Sequence, residues 1–162
     1  MRNNTIVQWH DTYSIGVKLV DEQHKKLIAL TNELYINCMA SNRRSSDAFL
    51  KAMHEVIDYT DYHFATEEKI MERVKYPDLI YHKKEHIYFT RDVLMKVKGF
   101  SQGKVTSSNS FTYFLRDWVL HHIAVNDKKL GEHLIQLKKS GELQKMNLIV
   151  RRDPAQNRVY IR

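Results

Sequence analysis

The chain carries four long segments in which apolar residues recur every three or four positions, the spacing of one face of a helix. They run from about Lys18 to Ala40, from Ser46 or Asp47 to about Lys75, from about Asp78 to Phe100, and from about Ser110 to Lys138. Long helices joined by short breaks are antiparallel neighbours in space. The pattern therefore predicts an all-α protein built as an up-down-up-down four-helix bundle.

The amino-acid composition also favours a fold of a few long helices. The 162 residues include 5 glycines and 2 prolines, which leaves few turns and disfavours a fold of many short strands. The length fits one domain. Cys38 is the single cysteine, so an intrachain disulfide and a thiolate-rich metal site are excluded. Any metal chemistry must use imidazole and carboxylate groups.

The C-terminal stretch differs from the four segments. NLIVRR and RVYIR flank the turn-like DPAQN and predict a β-hairpin, with a flexible basic tail as the alternative. Residues 139–162 hold six basic and two acidic side chains, a net charge of +4 out of +7 for the whole chain. We therefore divide the chain into a bundle with an N-terminal arm, residues 1–138, and a basic extension, residues 139–162.

The N-terminus, MRNNTIVQWHDTY, shows neither an apolar core nor a cleavage site of a secretory signal, so we expect a cytoplasmic protein. No segment contains the roughly 18 consecutive apolar residues of a membrane-spanning helix. The positive charge is concentrated in the extension, and no nucleic-acid-binding module is recognisable, so we expect no nucleic-acid partner.

Histidines and acidic residues interrupt the apolar faces of the second and third segments. His63 and Glu67 are four residues apart, as are His82 and His86, so each pair projects from one helix face. Burying such groups is costly unless they are paired or bind a metal. Two pairs on neighbouring faces indicate a metal centre inside the bundle, and nitrogen and carboxylate ligands suit iron, zinc or copper better than magnesium or calcium.

Four motifs that span most of the chain resemble the hemerythrins, in particular the bacterial single-domain members. They are GVKLVDEQH (16–24), HFATEEKIM (63–71) followed by YP, HKKEH (82–86) and WVLHHIAVND (118–127). The resemblance implies a non-heme centre of two iron ions joined by an oxo or hydroxo bridge. It assigns His82, His86 and His122 to one iron, His24 and His63 to the other, and Glu67 and Asp127 to both.

The resemblance also implies a function. With the bridge counted, the three-histidine iron has six ligands and the two-histidine iron has five, so one position stays open for a small molecule. In the family this molecule is O2, held reversibly as hydroperoxide on the five-coordinate iron. We therefore expect an oxygen carrier, store or sensor and not a turnover enzyme.

One spacing conflicts with a regular helix. His122 and Asp127 are five residues apart, which at about 100° per residue places them about 140° apart around the helix. Geometry alone would select Asn126, whereas the resemblance selects Asp127. The apolar stripe also shifts phase beyond Asp127, so we predict a π-helical turn between His122 and Asp127.

An apolar pocket is expected around the open iron, to exclude water and slow the loss of bound oxygen. The matching residues are Phe64, Trp118, Val119 and Ile123. Val119 replaces the leucine that is usual in the family, which removes about one methylene group. We expect faster ligand exchange and faster autoxidation as a result.

Two other interpretations remain open at the level of sequence. The same centre could serve a di-iron enzyme with peroxidase, oxidase or nitric-oxide chemistry, using an external reductant. Alternatively, the metal domain could be a sensor or scaffold that acts through the basic extension, which would contact an acidic protein or a membrane face.

Overall fold

The computed structural model describes residues 5–39, 43–102, 108–146, 150–153 and 158–161. Its helices are a 3-10 turn (Asp11–Tyr13), α1 (Lys18–Met39), α2 (Arg43–Arg73), α3 (Leu79–Ser101), α4 (Ser108–His121), a π-helical segment (His122–Asp127), α5 (Lys128–Lys139) and the short α6 (Glu142–Lys145). The α4, π and α5 segments follow one another directly and form the fourth long helix. The predicted all-α bundle is confirmed.

The boundaries follow local chemistry, with one difference from the prediction. α2 begins at Arg43 and not at Ser46 or Asp47. At its other end Lys75 has a φ of 53°, and the N–H groups of Tyr76 and Lys75 donate to the carbonyls of Met71 and Glu72 at 2.9 and 3.3 Å. These two bonds form a Schellman motif, after which Pro77 prevents the helix from continuing.

Each long helix packs against its two neighbours. α1 lies against α2 and α4, and α2 lies against α3. Aromatic rings join α3 to α4, since Phe89 stacks on Trp118 with ring centroids 3.8 Å apart. Two apolar clusters fill the interior. One contains Leu27, Leu34, Met53 and Leu115, and the other contains Ile70, Met71 and Leu130.

The N-terminal arm is tied to the bundle by specific contacts. The Asp21 carboxylate accepts hydrogen bonds from the Ser14 hydroxyl and the Ile15 N–H at 2.6 and 2.8 Å. Ile15 then packs on Gly131 of α5, where an added Cβ would lie 2.8 Å from the Ile15 Cβ. Asp21 therefore has a structural role, and Gly131 is required by the close approach of the arm.

The C-terminal strands β1 (Val150–Asp153) and β2 (Arg158–Ile161) pair antiparallel, with Val150 opposite Ile161 and Asp153 opposite Arg158. The hairpin prediction is confirmed for these residues, and the connecting DPAQN stretch lies mostly outside the described residues. Before the hairpin, Leu143 and Met146 pack on the second apolar cluster. Part of the predicted extension thus belongs to the bundle's packing.

Candidate metal centre

The bundle interior holds a cluster of five histidines and two carboxylates. α1 supplies one member, α2 two, α3 two and the π-helical segment two. Each residue is at most 2 % exposed. These are the seven residues that the sequence indicated as metal ligands: His24, His63, Glu67, His82, His86, His122 and Asp127. The fold thus brings all of them together.

The cluster consists of two overlapping groups whose candidate ligand atoms lie within 4.8 Å of one another. The three-histidine group contains His82, His86 and His122 with Glu67. The two-histidine group contains His24 and His63 with Glu67 and Asp127. The histidines divide as the resemblance implied for two metal positions, whereas Asp127 is grouped with the two-histidine set alone.

The Glu67 carboxylate is shared between the two groups. Its Oε1 lies 3.6 Å from His24 Nε2 and 3.5 Å from His63 Nε2. Its Oε2 lies 3.3, 3.4 and 3.5 Å from the Nε2 atoms of the other group, in the order His82, His86 and His122. One oxygen therefore faces each group.

Asp127 is divided in the same way. Its Oδ2 lies 3.1 Å from His24 Nε2, while its Oδ1 lies 3.1 Å from His122 Nε2 and 3.4 Å from His82 Nε2. Glu67 and Asp127 thus each present one oxygen to either histidine group.

The π-helical segment explains how Asp127 reaches the cluster. On a regular helix it would point about 140° away from His122. The wider π turn over His122–Asp127 accommodates one extra residue and brings both side chains to the same interior space. The predicted helix distortion is confirmed. Asn126 is also buried, and its side-chain amide lies 3.4 Å from His122 Nδ1.

A chain of hydrogen bonds defines the tautomer of His63. The Thr66 hydroxyl donates to the Tyr62 carbonyl at 2.9 Å, so it accepts from the Gln23 amide nitrogen at 3.0 Å. The Gln23 oxygen must then face His63 Nδ1, 3.2 Å away. His63 Nδ1 carries the proton, and its Nε2 lone pair points into the cluster.

His86 is oriented by a different partner. Its Nδ1 lies 3.0 Å from Oε1 of Glu68, whose other oxygen pairs with Lys83 Nζ at 3.0 Å. Lys83 also contacts Glu72, at 3.2 Å. An ionised carboxylate only accepts hydrogen bonds, so Nδ1 is the donor and Nε2 faces the cluster. The sequence did not indicate Gln23 or Glu68, because each is identified only by a contact between two helices.

The inward-facing atoms fit bound metal ions. Within the described residues, the Nε2 atoms of His24, His63 and His82 have no hydrogen-bond partner, and the same holds for all four oxygens of Glu67 and Asp127. One unpaired buried polar group costs about 1–3 kcal/mol, so a set of this size fits a site that holds metal ions. His86 Nε2 lies 3.1 Å from His122 Nε2. This separation fits two nitrogen ligands of the same ion, because two ligands about 2.1 Å from an ion at a right angle are about 3.0 Å apart.

Charge compensates the buried carboxylates when no metal is bound. Burial lowers the pKa of His24 and His82, but the facing carboxylates of Asp127 and Glu67 outweigh it and raise these pKa values to about 9 and about 10. Burial lowers the pKa of His63 to about 3. The surrounding histidines overcome burial and hold the pKa of Asp127 at about 2, and that of Glu67 well below its ordinary value. His24 and His82 are therefore protonated near neutral pH when no metal is bound.

The four residues predicted to line an apolar pocket are all near the bundle interior. Phe64 stacks on His86 with centroids 3.7 Å apart, and Trp118 stacks on His122 at 4.3 Å. Val119 and Ile123 are at most 1 % exposed and belong to the first apolar cluster. The two aromatic rings thus cover the three-histidine group, whereas the prediction placed the pocket around the other metal position. The pocket role of the four residues stays a prediction.

The histidines outside the ligand pattern do not join the cluster. His10 caps the 3-10 turn by accepting from the Thr12 N–H at 3.4 Å. His54 and His121 are exposed, and His133 packs edge-on against Tyr76. In the described part of the chain, no helix is both long enough and apolar enough to span a bilayer.

Together, the bundle and the buried histidine–carboxylate cluster define a helical cation-binding domain. The family described as "Hemerythrin HHE cation binding domain" matches residues 15–134. The chain therefore belongs to the hemerythrin family, and family membership implies a non-heme iron centre.

Known proteins agree with this assignment. The bacteriohemerythrin of Stenotrophomonas maltophilia (strain R551-3) is 31% identical over 129 residues, which cover 80% of this chain and 82% of that protein. The bacteriohemerythrin of Methylococcus capsulatus is 32% identical over 74% of this chain and 88% of its own length. The crystal structure of a wild-type hemerythrin matches with a TM-score of 0.72 and 30% identity, over 80% of this chain and 98% of that one.

Proposed function

We propose that the chain holds two iron ions and uses them to bind O2 reversibly. In this proposal His82, His86 and His122 bind one iron, and His24 and His63 bind the other. Glu67 and Asp127, together with an oxo or hydroxo group, bridge the two ions. The site acts as an oxygen carrier, store or sensor.

The division of the carboxylate oxygens is the observation that supports this proposal most strongly. Glu67 and Asp127 each direct one oxygen toward either histidine group, as two bridging ligands require. Since one group has three histidines and the other two, the two-histidine position has one ligand fewer. That position is where a small molecule can bind without displacing a side chain.

The chain's own residues hold and protect the site. Gln23 and Glu68 orient His63 and His86 through their outer nitrogens, which keeps the Nε2 lone pairs directed inward. The rings of Phe64 and Trp118 stack on His86 and His122 of the three-histidine group.

Three buried threonine hydroxyls of α1 and α2 are committed to backbone carbonyls. Held by the histidines and carboxylates of the cluster, two ferrous ions would supply one electron each toward O2. The Thr66 proton is committed to the Tyr62 carbonyl, and the buried hydroxyls of Thr31 and Thr60 donate to their own helices at 2.8 and 2.7 Å. These hydroxyls are therefore not positioned as acids.

Spectroscopy of the reduced, iron-loaded protein tests the proposal. We expect two iron ions per chain, one O2 taken up per iron pair, and a visible charge-transfer band that appears in air and disappears when O2 is removed. One iron per chain, or a band that never reverses, would contradict it. Rapid steady-state consumption of O2, peroxide or nitric oxide with an electron donor would favour an enzyme.

We also propose that the basic extension is separable from the metal centre. Because Leu143 and Met146 pack on the bundle, the appropriate truncation removes residues 147–162 and keeps those two side chains. The truncated protein should bind iron and O2 as the full chain does. Loss of O2 binding on truncation would contradict this division.

A further inference from the structure

Glu68 occupies an unusual place beside the metal centre. Its side chain is 24% exposed, yet it reaches His86 Nδ1 at 3.0 Å. Glu68 and His86 both line a surface groove of about 670 Å³ that also contains Phe64, Ile87 and Leu94. One carboxylate thus lines the open groove on one side and contacts a buried histidine of the cluster on the other.

The two halves of the cluster differ in the charge of these outer partners. Glu68 places a carboxylate behind His86, and the other oxygen of this carboxylate pairs with Lys83 Nζ at 3.0 Å. On the other half, the partner of His63 is the neutral amide of Gln23. An imidazole that donates to a carboxylate is a stronger electron donor than one that donates to an amide.

We infer that Glu68 is a positioning residue that makes the three-histidine position the tighter of the two metal positions. It fixes the His86 tautomer and increases the donor strength of Nε2, so this position loads first and favours the ferric state more strongly. The inference rests on the proposed two-metal function and adds an order of loading that depends on one carboxylate outside the ligand set.

Titration of the metal-free full chain under anaerobic conditions tests the inference, with Co2+ as a spectroscopic probe and then with Fe2+. The wild-type protein should bind two ions in two resolved steps. Glu68→Gln keeps an oxygen that can accept from His86 but removes the charge, and it should weaken the first step about 10-fold. Glu68→Ala removes the contact as well, and should weaken that step about 100-fold.

Glu72→Gln is the matched control. Glu72 also pairs with Lys83, is exposed, and lies on the same helix one turn from Glu68. This variant should bind both ions as the wild type does. In the iron-loaded protein, Glu68→Gln should also shift the midpoint potential to a more positive value, a change that a purely structural role would not produce. Thermal unfolding of the metal-free variants verifies that they fold.

The outcomes separate this inference from the proposed function. If Glu68→Gln and the wild type have equal first-step affinities and equal potentials, the inference is wrong. An equal loss in Glu72→Gln would attribute the effect to general surface charge and would also overturn it. If the wild type binds a single ion, the proposed two-metal function fails instead.

Discussion

The two halves of the buried cluster have the same kind of ligands but different surroundings. The three-histidine half is covered by the rings of Phe64 and Trp118 and is joined through Glu68 to a solvent-accessible groove. The two-histidine half is supported by the buried amide and hydroxyl of Gln23 and Thr66. The two halves therefore differ in the number of histidines and also in the side chains that contact the outer nitrogens of those histidines. In the two-metal function that we propose, this difference lets one half retain its ion and leaves a position open in the other.

The largest effect that we expect is the loss of metal binding at both positions when the charge of Glu67 is removed. Its two oxygens face different groups, so Glu67→Gln should weaken metal binding at both positions by more than about 100-fold. Iron per chain after dialysis measures this loss. Glu55→Gln, an exposed change on the same helix, should retain two ions per chain. Retention of either ion by Glu67→Gln would contradict the shared role.

Metal affinity should rise steeply with pH, because ions displace protons from both halves. Without metal, His24 and His82 have pKa values of about 9 and about 10, above the ordinary 6.5. One released proton contributes about tenfold in affinity per pH unit, so between pH 6.5 and 9 we expect the affinity of each position to rise about tenfold per unit, and the product of the two affinities about 100-fold. Competitive titration with a chelator at several pH values measures this slope, and a flat profile would contradict the protonation of both histidines.

The raised pKa values of His24 and His82 also predict how the stability of the metal-free protein depends on pH. Because both pKa values are raised on folding, the stability they contribute is fully present below pH 6.5 and is lost as pH rises through 9 and 10. The metal-free protein should therefore denature at lower urea concentration at pH 10 than at pH 6. The stability of the metal-loaded protein does not include this contribution, since its histidines no longer carry the protons. Its urea midpoint should therefore not fall in this way between pH 6 and pH 10.

Placing a carboxylate behind His63 should reduce the difference in metal affinity between the two positions. Gln23→Glu places a negative charge behind His63, where the wild type has an amide 3.2 Å away. We expect the second metal step to become about 10-fold tighter, with the first step unchanged. Gln136→Glu, an exposed change on α5, is the charge control. A second step that is unaffected by Gln23→Glu would show that the outer partner does not set affinity.

The smallest expected effect concerns the apolar surroundings. Val119→Leu adds one methylene group where the side chain is 1 % exposed, and should slow autoxidation and O2 release a few-fold by narrowing access. Val56→Leu adds the same group elsewhere in the core and should change neither rate. Autoxidation followed by absorbance tests this, and an unchanged rate in Val119→Leu would remove Val119 from the proposed pocket.

Much of the fold could be predicted from local pattern. The 3.6-residue spacing of apolar side chains predicted four long helices, and the phase shift after His122 predicted the π-helical turn. The predicted start of α2 lies later in the chain than the observed start, because a polar run such as SNRRSSD is compatible with a helix or with a loop. The seven cluster residues were identified partly from i, i+4 pairs and partly from family resemblance, which selected Asp127 over Asn126.

By itself, the sequence determined which side chains face the interior, because helical periodicity assigns each residue to a face. It also limited the chemistry to imidazole and carboxylate. Only the tertiary structure decided which oxygen of Glu67 and Asp127 faces which histidine group, and which outer partners support His63 and His86. Those relations join α1 to α2 and α2 to α3. They depend on how the helices are rotated against one another, and no single helix encodes that rotation.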